Sequence, residues 1–363
     1  MPQTMGAQLS GAPRIRVLGT GGTIAGTAPA GSPDNRYKPG QVAIQDLLQP
    51  VLATLGQRVA QVEAVQVAQL DSRNMGYAVW QALAAELQAG MDDPAVVGQV
   101  VTHGTDTLEE TAVFLHGVLR GRKPVVLTAA MRPATSAMAD GPDNLRQALL
   151  LAAHPEAFGV WMAFGGKAWP AVRVRKVHPF ALQAFCPGDG VAQAQWLDEA
   201  WVWGTGAGPS SQQATAAPDS DEALVCAEPV QMPDDVKSWP RVEIVHSHAG
   251  ADGRLVDLLL GEPQAGGAAP QGLWGGAVQG LVVSATGNGS IHESIHEALQ
   301  RSVASGRLHR QHILVATRCT QGWVVGEPEH GWPVASRLTP AQARVALMLQ
   351  LVASQGPAGA SSA

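Results

Sequence analysis

Cysteine is scarce in this chain. Three occur in 363 residues, Cys186, Cys226 and Cys319, far apart and with no Cys-x-x-Cys spacing. That argues against a disulfide framework or a thiolate zinc site and leaves free thiols in a reducing compartment. Basic residues are also few. Lys and Arg total 24 against 30 Asp and Glu, the formal charge is −6, and no basic run appears. Nucleic acid is therefore not an expected partner. No apolar run reaches the about 18 residues that a membrane span needs, so no membrane association is expected. The opening MPQTMGAQLSGAPRIRV has no charged segment leading into an apolar one. A cytoplasmic protein with a short disordered lead is the expectation. Only 2 Tyr and 5 Phe are present, so a tyrosine in a loop stands out.

What is abundant points to a globular α/β protein. Apolar residues make up 45% and charged residues 15%, which suits a sizeable buried core. Strand-like and helix-like segments alternate. RIRVLGT (14–20), VEAVQVAQL (62–70), AVVGQVVT (95–102), KPVVLTAA (123–130) and GVWMAF (159–164) read as strands. Between them lie helical patterns over 41–55, 77–90, 108–121 and 143–154, with Pro50 expected to kink or end the first and Gly90 to stop the second. Continuous apolar strands joined by long crossovers predict a parallel sheet with helices on both faces. GTGAGPSSQQATAAPDSDEA (204–223) breaks the pattern and reads as a linker. Strands over 241–249, 279–289 and 312–317 follow, with helices over 290–306 and 339–355, the last with Thr339 as N-cap and Pro340 after it. The tail GPAGASSA is expected to be disordered. The fold class is thus two α/β domains, a larger N-terminal one with a parallel-type sheet (14–203) and a smaller C-terminal one (241–355), joined by a linker over 204–240.

Ligands of open parallel sheets bind beyond the carboxyl ends of the strands, so those ends carry the candidates. The first is GTGGTIAG (19–26). Ile24 stands where a dinucleotide loop needs glycine, and no P-loop lysine follows. The glycines instead leave Thr23 on a tight turn. A long polar loop (27–40) follows, of a length common in lids, and it carries Tyr37. The second end is LDSRNM (70–75), with Asp71, Ser72 and Arg73 before Asn74 as the expected cap of the next helix. The third is VTHGTDTLEETA (101–112). Thr107 with Glu110 is a capping box. It leaves Thr102, His103, Thr105 and Asp106 unexplained. A hydroxyl there has helix N–H donors near it and a carboxylate to orient a partner, which a hydroxyl nucleophile needs.

Together, GTGGTIAG and THGTDTLEETA resemble the two signatures of the bacterial L-asparaginase family. AAMRPATSAMADGPDNL (129–145) is similar to the family's next segment, RKV with Lys176 to its lysine segment, and GNGS (287–290) to a substrate loop of its second domain. The resemblance runs from about residue 14 to 352 and breaks mainly at 204–240. It implies amide hydrolysis by double displacement, converting L-asparagine to L-aspartate and ammonia, with L-glutamine as the alternative substrate. It implies Thr23 as nucleophile, Tyr37 as its lid partner, and Thr105, Asp106 and Lys176 as a second relay. Ser72 would bind the substrate carboxylate, Asp106 its ammonium, and the Ala130 carbonyl the reacting amide. Asp71, Arg73, Asn288 and Ser290 complete the implied substrate contacts, and Glu327 in VVGEPEHG is the candidate acidic residue lent to a neighbouring subunit. No cofactor and no metal are implied. The implied assembly is a homotetramer of intimate dimers.

Some features depart from that pattern. Arg73 stands where many relatives have Gln or Glu beside the substrate ammonium, and Ser290 replaces an asparagine. HESIH (292–296) spells the zinc motif HExxH, but no third ligand is evident nearby. An amidotransferase subunit and a catalytically idle amino-acid sensor remain the competing readings. The first would carry an extra N-terminal domain, and the second has no need of the complete reactive set.

Overall fold

The computed structural model describes residues 13–31, 36–59, 61–188, 190–204, 225, 228–260 and 277–355. Most of the linker at 204–223, Cys226 and the tail at 356–363 lie outside these. The chain divides into two compact units: residues 1–108, 119–187 and 191–216, and residues 109–118, 188–190 and 217–363. Both are α/β.

The first unit is built on an eight-stranded sheet. Its strands are β1 (Arg14–Gly21), β2 (Gln61–Leu70), β3 (Val96–Thr102), β4 (Val125–Thr128), β5 (Val160–Phe164), β6 (Lys167–Pro170), β9 (Ala194–Leu197) and β10 (Ala200–Trp203), in the order β10-β9-β6-β5-β4-β3-β1-β2. β7 (Arg175–Lys176) and β8 (Phe185–Cys186) form a separate two-stranded ribbon. The five strands from β2 to β5 are mutually parallel, as the apolar runs predict. From β5 outward the pairing turns antiparallel, through β6, β9 and β10. These four-residue strands are mostly Trp, Ala and Gln, with one Val among them, so no long apolar run announces them.

Burial follows position in the sheet. β1, between β3 and β2, is buried over all but its first residue, whereas the outermost β2 is half-exposed throughout. The helices are α1 (Ile44–Leu55), α2 (Tyr77–Asp92) and α4 (Gly141–Ala152). Neighbouring residues of β3 show that they cover both faces: Gly98 abuts Ala152 at the end of α4, while Gln99 lies under Gly90 of α2. One core joins Ile15, Val17, Val100 and Val126 of the strands to Leu48 and Val51 of α1 and to Leu145 and Leu149 of α4.

Two expected helix breakers do not break. α1 runs through Pro50 to Leu55. Pro50 and Asp46, the residue whose carbonyl loses its donor, both face solvent, where water satisfies the carbonyl. α2 runs through Gly90 to Asp92. Gly90 is glycine for space: the Gln99 side chain occupies the volume of a Cβ there and donates its amide to the Leu87 carbonyl at 2.8 Å.

The second unit holds a three-stranded parallel sheet, β11 (Val242–His246), β12 (Gly280–Ala285) and β13 (Ile313–Thr317), in that order. Its helices include α3 (Leu108–Val118, from Glu109 on), α5 (Arg254–Leu260), α6 (Glu293–Ala304) and α7 (Pro340–Ser354). Alternate residues of β12 serve opposite faces. Leu281, Val283 and Ala285 join the core with Val256 of α5 and Ile295 and Leu299 of α6, and Gly280 abuts Leu347 of α7. Thr339 caps α7 as expected. Its hydroxyl accepts from the Gln342 N–H at 3.2 Å and the Gln342 side chain accepts from the Thr339 N–H at 2.9 Å, a full capping box.

Gly90→Ala should lower stability by about 1–3 kcal/mol, because the methyl must displace a fully buried, hydrogen-bonded Gln99. Urea unfolding checks this, and an unchanged midpoint would show that Gln99 repacks freely.

Candidate active site

Parallel pairing of β2, β1, β3 and β4 brings the ends of these strands to one edge of the sheet. Thr23 follows β1, Ser72 follows β2, Thr105 follows β3 and Ala130 follows β4. The sequential connections from β1 and β3 leave in opposite directions across the sheet, so the two loops meet between these adjacent strands. They meet backbone to backbone. A Cβ on Gly22 would collide with the main chain of Gly104, and a Cβ on Gly104 would collide with the Ser72 side chain. Gly22 also has φ 79°, and its N–H donates to the Leu70 carbonyl at 2.8 Å. These glycines place Thr23, Ser72 and Thr105 around one point.

Thr23 opens a short 3-10 turn to Ala25 and is buried. Its Oγ1 lies 2.7 Å from the Tyr37 hydroxyl. The arm that carries Tyr37 is fixed by paired backbone bonds, Thr27 N–H to Lys38 carbonyl at 2.9 Å and Lys38 N–H to Thr27 carbonyl at 2.8 Å. The segment after β4 supports the same arm. The Thr135 hydroxyl accepts from the Ala28 N–H at 2.8 Å, and the Ala134 N–H donates to the Gly26 carbonyl at 2.9 Å. Ala130 packs against Ile24 and Ala25 beneath this turn. Asp140 shapes the same segment by accepting from the N–H groups of Met131 and Arg132, both at 2.9 Å.

On the other side, Lys176 Nζ donates to Thr105 Oγ1 at 2.9 Å and to Asp106 Oδ1 at 2.6 Å. Lys176 reaches them from β7, whose pairing partner β8 is anchored by Phe185 against Phe164, ring centroids 5.0 Å apart. Its side chain is largely buried while that of Asp106 is half exposed, so the carboxylate faces solvent beyond the ion pair. The Ser72 hydroxyl accepts from the Asp106 N–H at 3.2 Å, which leaves its own proton for another acceptor.

The capping box expected of Thr107 and Glu110 is not made, because both side chains have other partners. The Thr107 hydroxyl donates to the Ser72 carbonyl at 2.9 Å. Glu110 meets Arg344 at 3.3 Å, and burial raises its pKa against the pull of that guanidinium. Asn74 is not the cap of α2, which is Gly76. Instead Asp71 caps the 3-10 turn Ser72–Asn74, accepting from the Arg73 N–H at 3.2 Å and pairing with Arg73 Nε at 3.0 Å. That pair gives the exposed Arg73 a carboxylate partner.

Asn288, Ser290 and Glu327 belong to the second unit. Asn288 spends its amide on one backbone, donating to the Val325 carbonyl at 2.8 Å and accepting from the Val325 N–H at 2.7 Å. Ser290 exchanges backbone bonds with Thr286 across a tight turn. Glu327 is exposed just beyond Val325. The HESIH histidines have structural partners. His292 caps α6, accepting from the Ser294 N–H at 3.2 Å, and His296 Nδ1 accepts from the Trp332 indole N–H at 3.0 Å. Among the described residues, no three or more His, Cys, Asp or Glu are grouped to hold a metal ion. No helix among them is long and apolar enough to cross a membrane.

Sequence reasoning missed three contributors. Asp140 and Thr135 lie within AAMRPATSAMADGPDNL (129–145), but their backbone partners are visible only in three dimensions. His103 was visible inside THGTD but without a role. It is fully buried, and desolvation lowers its pKa to about 4.

The assembly is a hydroxyl–phenol pair and a hydroxyl–ammonium–carboxylate triad at one edge of an α/β sheet. Models of known families match along most of the chain: asparaginase, N-terminal, over residues 14–202, and the glutaminase/asparaginase C-terminal domain over 241–361. A probable periplasmic L-asparaginase of Haemophilus influenzae is 31% identical over 352 residues, 95% of this chain and 90% of that protein. L-asparaginase 2 of Escherichia coli is 30% identical over 349 residues, 95% and 90%. The crystal structure of a probable cytoplasmic L-asparaginase from Campylobacter jejuni superposes with a TM-score of 0.74 at 31% identity, covering 93% of this chain and 95% of that one. These define an amidohydrolase of two α/β units. The chain belongs to the asparaginase family.

The buried His103 gives stability a pH dependence. Its folded pKa, about 4, lies below the 6.5 of an unfolded chain, so the unfolded state takes up the proton first. Its contribution is complete above pH 6.5 and declines as pH falls to 4, by roughly 3 kcal/mol in all. Urea midpoints at pH 7, 5.5 and 4 should fall in that order, and His103→Asn should fall less steeply.

Proposed function

We propose that this protein is an L-asparaginase that hydrolyses L-asparagine to L-aspartate and ammonia through a threonyl acyl-enzyme. The observation that carries the reading is the convergence of Thr23–Tyr37 at 2.7 Å with Lys176 bridging Thr105 and Asp106. The names of the relatives, L-asparaginases among them, support the substrate class.

Hydrogen-bond polarity favours Thr23 as the first nucleophile. Thr105 Oγ1 already accepts from Lys176, which draws electron density from that oxygen. Thr23 Oγ1 faces the Tyr37 oxygen, which is free to accept its proton. Attack by Thr23 on the side-chain carbonyl passes its proton to the Tyr37 oxygen while the phenol hydrogen moves on to the departing nitrogen, so the amide group leaves as ammonia and a threonyl ester remains. Water then attacks the ester beside Thr105, where the Lys176–Asp106 ion pair steadies the charge that develops. The second Asp106 oxygen would hold the substrate ammonium, the Ser72 hydroxyl its carboxylate, and the Ala130 carbonyl the reacting amide. Asp71, by holding Arg73, keeps that cation from opposing the ammonium.

A mixed glutaminase-asparaginase is the second reading. Proteins of that name, including one from Acinetobacter glutaminasificans at 28% identity over 353 residues, are among the relatives. The two substrates differ by one methylene, worth about 1–3 kcal/mol of discrimination.

The functional particle in this reading is a cytoplasmic homotetramer in which Asn288, Ser290 and Glu327 serve a neighbouring copy's site. Asn288, whose amide is spent on Val325, would act there by shaping its turn. Sedimentation of the purified protein tests the tetramer, and a stable monomer with full activity would overturn it. Recovery of the protein in the periplasmic fraction would overturn the compartment.

Ammonia release from L-asparagine and L-glutamine in parallel, without added metal, tests the activity. The purified protein should turn over asparagine, and Thr23→Ala and Thr105→Ala should each lose roughly 10³-fold or more in kcat while keeping the parental circular dichroism spectrum. Full activity in either variant would remove that threonine from the mechanism.

A further inference from the structure

His103 stands just beyond the last residue of β3 and is completely buried. Its backbone N–H donates to the Thr128 carbonyl at 2.9 Å, which ties it to the end of β4. The ring turns back on the following peptide, with Nδ1 2.7 Å from the Gly104 carbonyl oxygen. A carbonyl only accepts, so Nδ1 carries the hydrogen. Burial keeps the ring neutral at ordinary pH, so the tautomer is set by this bond.

The bond fixes a peptide that nothing else on the residue can fix. Gly104 must be glycine to meet Gly22, and a glycine turns freely unless its carbonyl or N–H is held. No cis peptide is present among the described residues, and across a trans peptide the carbonyl and the N–H point in opposite directions. With the Gly104 carbonyl turned toward the imidazole, the Thr105 N–H turns away from it. That N–H donates to no acceptor among the described residues, although Thr105 is only 5% exposed. A buried N–H left open is costly, and it is most useful where negative charge develops on an oxygen.

We propose that His103 is a positioning residue for the reaction. By holding the Gly104 carbonyl it aims the Thr105 N–H at the oxygen of the carbonyl under attack, so that the donor is in place before charge develops. The inference rests on the amidase reading above and assigns His103 no contact with substrate.

The test compares two amides. Asparagine at 103 puts its NH2 where Nδ1 sits, whereas glutamine puts it toward Nε2, out of reach of the Gly104 carbonyl. His103→Asn should keep kcat for L-asparagine within about 5-fold of the parent. His103→Gln should lose roughly 30- to 100-fold, with KM and the calorimetric affinity for L-aspartate changed less than 3-fold. A purely structural role would lower both variants alike, and equal losses would overturn the inference. A parent that releases ammonia from neither amide would overturn the amidase reading and this inference with it, whereas a working parent with equal variants overturns this inference alone. One measurement needs no variant. In parent protein labelled with 15N-threonine, aspartate β-semialdehyde, whose aldehyde forms a tetrahedral adduct with a hydroxyl, should move the Thr105 amide proton downfield. An unmoved Thr105 resonance on saturation would also overturn the proposal.

Discussion

The contact between Gly22 and Gly104 is the constraint on which the site depends. Two loops from adjacent parallel strands meet with no side chain between them, and the Ser72 side chain fills the remaining edge. Three of the site's hydroxyls lie directly beside that contact. Thr23 follows Gly22, Thr105 follows Gly104, and Ser72 touches Gly104 directly. A side chain on Gly22 would push the two loops apart, and one on Gly104 would displace the Ser72 side chain.

Around that point the protein arranges charge sparingly. One cation, Lys176, serves both a hydroxyl and a carboxylate, and one anion, Asp71, restrains the exposed Arg73. Burying Lys176 while leaving half of Asp106 open keeps the ion pair cohesive without sealing the carboxylate from a ligand. Other contacts fix the geometry. Tyr37 faces Thr23 through an arm whose backbone is bonded on both sides, and Asp140 holds the segment that supports the arm.

The strand-end candidates Thr23, Ser72 and Thr105 were legible in the sequence because each follows a strand that announces itself, and the structure brings them to one edge of the sheet. Val-rich runs mark β1, β3 and β4, and small polar residues after such runs are where parallel sheets bind ligands. Lys176 was legible only through family resemblance, since the two-residue strand that presents it has no pattern of its own. The antiparallel half of the large sheet was not legible for the same reason: its four-residue strands are too short for a period. Pro50 and Gly90 misled because their local propensities are overridden, one by solvent and the other by Gln99. HESIH spells a zinc motif, and the sequence reading set it aside for want of a third ligand. Its histidines meet a helix N-terminus and an indole, contacts that depend on Trp332, which lies far along the chain.

The sheet order also bears on when this protein becomes active. β1 pairs with β3, some eighty residues later in sequence, before it has any partner on that side, and Lys176 arrives later still. A fold dominated by such distant pairings closes slowly, because long loops must be ordered before their contacts form. The ribosome has to release the chain beyond β8 before Lys176 has a strand to sit on. A fragment that ends earlier contains Thr23, Thr105 and Lys176 but lacks the Phe185–Cys186 strand that pairs with Lys176, so the lysine is held only after all the parallel strands have emerged.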